Sequence, residues 1–208
     1  LGALGYRCVV PALVHLSHFT HDPDDIQTIV EAIDAASRFE AGSVGVLAFS
    51  YGASYALCAA ADPRVARLCS ALIGFGAYYE LGEALEHQQR LLVSRPDPEH
   101  DEADLCYLRY TLLACHRSEL DLADEAWQAI WPILVDFTSP GPIESKRAPL
   151  LRYARHVDYV ALMQRYRERN LPARLSPSSC LEHVRSWVGL LHDPDDRLGI
   201  FGEGAKQR

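Results

Sequence analysis

The chain has 208 residues, a formal net charge of -8 and 49% apolar residues. That length fits one large domain or one domain carrying an insertion, and that apolar share excludes wholesale disorder. The acidic balance argues against a nucleic-acid partner, which needs clustered Lys and Arg. The short basic run Arg165, Arg167, Arg169 reads as a solvated helix face. No apolar run approaches the ~18 residues of a membrane helix.

Six cysteines (Cys8, Cys58, Cys69, Cys106, Cys115 and Cys180) form no CxxC pair. Zinc and a disulfide framework are therefore not expected. Buried thiols in a reducing, cytoplasmic compartment are expected instead. The chain begins at Leu1, and a longer N-terminus could hold a signal or an anchor.

In chain order, residues 6–10 (YRCVV) read as a strand closed by Pro11. His15, His18 and His21 follow in a loop. A helix comes next, with Ile26, Ile29, Val30 and Ile33 forming one apolar stripe. Asp22 caps it, Pro23 suits its first position, and Asp24 and Asp25 suit the positive end of its dipole. Residues 44–49 (VGVLAF) read as a second strand and residues 51–61 as a second helix, ended by Asp62-Pro63. Residues 68–75 (LCSALIGF) read as a third strand. These runs are continuously apolar, the pattern of parallel strands buried on both faces. Their alternation with helices predicts a parallel α/β sheet.

The zone 80–171 reads as helical throughout, with segments at 81–93, 105–115, 120–134 and 150–166. Breaks fall at Arg95-Pro96-Asp97-Pro98 and Ser139-Pro140-Gly141-Pro142. A fourth strand is predicted at 184–191 (VRSWVGLL), followed by the turn His192-Asp193-Pro194-Asp195-Asp196. The organisation expected is an α/β core over 1–79, a helical insertion over 80–171, and a return to the core over 172–208. His-Asp-Pro-Asp-Asp occurs at 21–25 and again at 192–196. Helix capping and a turn account for the two copies, so no metal site is expected from them.

The strongest local signal is Ala48-Phe49-Ser50-Tyr51-Gly52-Ala53. A strand ends, Ser50 follows at once, and a helix begins. Small residues at Ala48 and Gly52 fit a tight turn with a strained Ser backbone, where bulk is expected to clash. The Tyr51 N–H, at the helix N-terminus, is placed to serve a developing oxyanion.

These residues resemble the nucleophile elbow G-x-S-x-G of the α/β-hydrolase family, with Ala48 in place of the first Gly. Leu190-Leu191-His192-Asp193-Pro194-Asp195-Asp196 is similar to the family's L-L-H-G-x-x-D acid loop, with Asp193 in place of Gly. The resemblance extends over nearly the whole chain, from Leu4 to about Leu198. It implies a partial α/β-hydrolase fold: a parallel sheet of about four strands with a helical cap insertion, shortened at both ends relative to the family.

It also implies a serine hydrolase, dienelactone-hydrolase-like or carboxylesterase-like, cleaving an ester or related acyl bond in a small-molecule substrate without a cofactor. Ser50 is then the nucleophile and Asp196 the acid, with Asp195, Asp193 and Glu80 as alternatives. The Tyr51 N–H is the oxyanion donor. The family places its His after the acid, and residues 197–208 contain none. Of Trp127, Trp131, Tyr107, Tyr110 and Tyr153, most are expected to pack in the core, and the rest to line an apolar pocket under the cap. The competing expectations are a catalytically inactive hydrolase-like scaffold and a helical partner-binding bundle.

Overall fold

The computed structural model describes residues 5–17, 21–39, 43–94, 128, 132, 164, 167–168 and 170–192. Their architecture is mixed α/β, built on a parallel sheet of three strands. The elements are α1 (Val14–Ser17), α2 (Asp24–Ser37), β1 (Val44–Phe49), α3 (Tyr51–Ala60), β2 (Cys69–Phe75), α4 (Leu81–Ser94), α5 (Leu171–Leu175) and β3 (Trp187–Leu191). Two 3-10 turns, Pro177–Ser179 and Leu181–His183, lead into β3. The strand order is β1-β2-β3, with both pairings parallel.

The start of α2 follows from its residue types. Pro23 stands at the N-cap rather than at the first helical position, one residue later than expected for the cap, and Asp22 before it still helps: its Oδ1 accepts the Asp24 N–H at 2.9 Å, which satisfies a first-turn donor that has no intrahelical partner. Ile29, Val30 and Ile33 are buried, and Ile26 packs against the same cluster, so the stripe seen in the sequence is the inward face.

Asp25, next to the cap, is buried. Its carboxylate accepts the Leu16 N–H at 2.6 Å and the His15 N–H at 3.2 Å. It therefore ties α1 to α2, a use beyond its favourable place in the helix dipole. A buried carboxylate persists only when such donors offset its lost hydration.

The core lies on one face of the sheet. Val46, Ala48 and Val188 pack against the buried cluster formed by α2, α3 and Leu72. α4 and α5 join that cluster through Leu81, Ala84, Leu85, Leu92, Leu171 and Leu175. Two buried hydroxyls fix the connections. Ser54 Oγ donates to the Tyr78 carbonyl at 3.0 Å and accepts the Tyr78 N–H at 2.9 Å, which holds the segment after β2 on α3. Ser176 Oγ accepts the Leu81 N–H at 2.9 Å and so binds the start of α4 to the end of α5.

The structure departs from the sequence expectations in three places. Residues 6–10 are exposed irregular chain, not a strand. A strand needs a partner for its N–H and C=O groups, and this run pairs with none of β1, β2 or β3. The described sheet therefore has three strands where about four were expected, and β3 begins at Trp187 rather than at 184.

The sheet is also not covered on both faces by described residues. Strand side chains alternate, so the register Leu47–Ile73–Gly189 and Phe49–Phe75–Leu191 lines up the face opposite the core. Leu47, Phe49, Phe75, Trp187 and Leu191 on that face are exposed. Phe49 stacks on Phe75 there, with ring centroids 5.0 Å apart. Third, Cys8 is exposed, while Cys69 is buried as expected. Of the helical insertion expected over 80–171, the helix expected at 81–93 is α4, which packs into the core; apart from the helical residues 128, 132 and 164, the helices expected at 105–115, 120–134 and 150–166 lie outside the described residues.

Candidate functional site

β1 delivers Ser50 to the carboxyl edge of the sheet. Phe49 is the last paired residue of β1, and α3 begins at Tyr51. Ser50 alone makes the reversal, and its backbone sits at φ 52 and ψ -136. That conformation is close to the Gly-only region, and for a residue with a Cβ it stores strain of order 1–3 kcal/mol. Two backbone bonds hold it. The Ser50 N–H donates to the Phe75 carbonyl at 2.7 Å, and the Ser50 carbonyl accepts the Ala53 N–H at 2.9 Å. The side chain is left exposed at the head of α3. A hydroxyl on such a turn has an open approach on one side and the positive end of a helix behind it.

The small-residue requirement is real but falls partly on other positions than the sequence suggests. A Cβ on Gly52 would meet only Leu16 Cδ2, at 4.0 Å, an ordinary contact. The expected clash at Gly52 is therefore absent. The tight approach is at Gly74, which pairs with Ala48. A Cβ there would lie 3.2 Å from Ala53 Cβ and 3.1 Å from Leu190 Cδ2. Glycine inside a strand allows this close approach of α3 to β2.

Tyr51 is the first residue of α3, and its N–H belongs to the helix's first turn. Its ring is wedged among aromatic neighbours. The His21 ring lies 4.7 Å away centroid to centroid, and Tyr78 packs edge-on at 5.4 Å. The Tyr51 hydroxyl also reaches Gln88 of α4, at 3.4 Å. These contacts fix the residue next to Ser50 from three separate segments of the chain.

His21, expected in a loop, is buried. Its Nδ1 hydrogen-bonds the Tyr55 hydroxyl at 2.7 Å, and burial holds its pKa down at about 4. It is therefore neutral at pH 7 and committed to packing behind the elbow. Nothing in its local sequence marks this role, because Tyr55 is brought to it only by the docking of α2 against α3. Among the described residues the Ser50 hydroxyl donates to no histidine.

The remaining site residues divide by position. The Gly76 N–H donates to the Leu191 carbonyl at 2.9 Å, so the ends of β1, β2 and β3 lie along one edge of the sheet. His192, directly after β3, stands at that edge. Asp193, Asp195 and Asp196 lie outside the described residues, as do Trp127, Trp131, Tyr107, Tyr110 and Tyr153. Glu80 precedes α4 and is half-buried.

Among the described residues, His15, Asp22 and Asp24 bring one donor atom each to within 4.8 Å of one another. Asp22 is also engaged there by the Asp24 N–H. Arg167 is exposed and pairs with Glu86 on α4, as a solvated helix face should. No helix among the described residues is long and apolar enough to cross a membrane.

Comparisons with protein-family models, curated proteins and solved structures found no match to this chain.

Proposed function

We propose that this protein is a serine hydrolase of the α/β-hydrolase type, acting on an ester or related acyl bond. Ser50 is the nucleophile, the Tyr51 N–H is one oxyanion donor, and Asp196 is the acid that orients the base. The observation that carries this reading is the backbone of Ser50, strained at φ 52 between a parallel strand and a helix. Proteins keep such strain where it aims a reactive group, so it counts towards function rather than towards a plain turn.

The chemistry follows from that placement. The Ser50 oxygen attacks the acyl carbon, and its proton passes to a base. The carbonyl oxygen gains negative charge as the tetrahedral intermediate forms, and an N–H at a helix N-terminus stabilises it. The leaving alcohol or amine then takes the proton, and water cleaves the acyl-enzyme.

A fluorophosphonate probe tests the reading, since only an activated serine displaces its fluoride. Labelling of the full chain that disappears in Ser50→Ala supports it. Labelling that survives Ser50→Ala moves the nucleophile elsewhere. A folded chain that takes no label is the inactive scaffold instead.

A further inference from the structure

The face of the sheet opposite the core is apolar at every position. Its rows run Gly45–Ala71–Trp187, Leu47–Ile73–Gly189 and Phe49–Phe75–Leu191 across β1, β2 and β3. The strand order explains why no described helix covers it. Both steps, β1 to β2 and β2 to β3, advance the same way, and right-handed crossovers then lay their helices on one face. α2, α3, α4 and α5 all contribute to the core cluster on the other side.

The relief of this open face is uneven. Its carboxyl end is high, because Phe49 and Phe75 stack there with ring planes 13° apart. Its amino end on the same two strands is low. A Cβ on Gly45 would meet nothing within 4 Å, and Ala71 beside it carries a single methyl. On β3 the Trp187 ring leans over Gly189, where an added Cβ would lie 2.7 Å from Cη2. The indole fills the gap that the glycine leaves and levels the third strand.

We propose that this face is the contact between two copies of the chain, related by a two-fold axis that crosses the strands at the Leu47–Ile73–Gly189 row. Such an axis reverses the strands, so β1 faces β1 and β2 faces β2 end for end. Phe49 then stands over the partner's Gly45, and Phe75 over the partner's Ala71. Large side chains enter the hollow left by small ones, and the two-fold makes the same fit twice. Sheets stacked face to face sit about 10 Å apart with interdigitated side chains. The proposal does not depend on the hydrolase reading.

Charge and area both favour a second copy. None of the nine positions is charged, so the face offers a charged partner nothing to pair with and suits a surface as apolar as itself. Trp187 is 64% and Phe49 61% exposed, with Phe75, Leu47 and Leu191 exposed beside them, so each copy offers roughly 500 Å² of apolar surface. Two copies together reach about 1,000 Å², the lower bound of a specific interface. That area supports a dimer that parts on dilution, and the separated chain keeps its fold with this face in water.

Sedimentation equilibrium of the full chain over a wide range of concentration tests this. The mass should rise from 23.2 kDa to twice that value and stop there. Phe49→Lys places a charge in the seam and should weaken association about 100-fold. Gly45→Leu adds apolar surface but fills the hollow, and should weaken association about tenfold. A face that is merely adhesive would associate more tightly with the larger side chain. Both positions are exposed, so both variants should keep the circular dichroism spectrum of the parent. A mass of one chain at every concentration overturns the proposal, and so does growth beyond two copies. Association of Gly45→Leu as tight as that of the parent overturns it as well.

Discussion

The Ser50 N–H reaches the Phe75 carbonyl across 2.7 Å, one step past the last paired residue of β1. The ladder between β1 and β2 thus continues into the turn, and the turn residue inherits the rigidity of the sheet. This bond holds a residue with a Cβ at φ 52.

The strain predicts an unusual ordering of stabilities. Ser50→Gly removes a penalty of order 1–3 kcal/mol and adds roughly 0.5–1 kcal/mol of backbone entropy cost. The net effect is a gain of about 1 kcal/mol. Ser50→Ala keeps the Cβ and should match the parent within about 0.5 kcal/mol. Urea unfolding measures both. A Ser50→Gly variant less stable than Ser50→Ala would show that the turn carries no strain.

The close approach at Gly74 gives a second contrast within one motif. Gly74→Ala drives a methyl against Ala53 Cβ and Leu190, and overpacking of this kind costs about 1–3 kcal/mol. Gly52→Ala has room, and exchanging Gly for Ala inside a helix gains up to about 1 kcal/mol. Thermal unfolding of the two variants should shift in opposite directions. Equal destabilisation would restore the expectation that Gly52 is the sterically required glycine.

His21 makes the fold sensitive to acid. Its folded pKa is about 4 against an ordinary 6.5, so the unfolded chain binds the proton first as pH falls. The stability tied to neutral His21 is fully present above pH 6.5, declines as pH falls, and is gone below about 4. The difference amounts to about 3 kcal/mol. Denaturant unfolding between pH 7.5 and 4.5 should show this decline, flattened in His21→Gln. A slope in that window unchanged by the substitution would assign the acid sensitivity to other groups.

The sequence reports best where a residue acts on its own neighbours. Asp22 braces the start of α2 because its carboxylate reaches Asp24 two residues on, and the spacing of Ile26, Ile29, Val30 and Ile33 is a property of one helix. The elbow is legible for the same reason, since strand, Ser50 and helix are contiguous. What depends on a distant partner is not legible. The apolar run 6–10 carries strand composition but has no strand beside it. Asp25 reads as a dipole residue until α1 docks its N–H groups onto the carboxylate. Under the hydrolase reading proposed above, the base for Ser50 is in the same position, because it would come from elsewhere in the fold.

The open face of the sheet provides the last test. Leu47 is 50% exposed and Leu72 0%, although both stand in apolar runs of similar composition. Leu72→Ala removes a fully buried side chain and should cost about 2–5 kcal/mol. Leu47→Ala removes one already half in water, so little transfer energy and no cavity are at stake, and the cost should stay below about 1 kcal/mol. Parallel sheets are ordinarily covered on both faces, which gives the comparison its force. If Leu47→Ala is as damaging as Leu72→Ala, the face is packed against something in solution. If the cost is small, Phe49, Phe75, Trp187 and Leu191 beside it form an apolar surface that meets water.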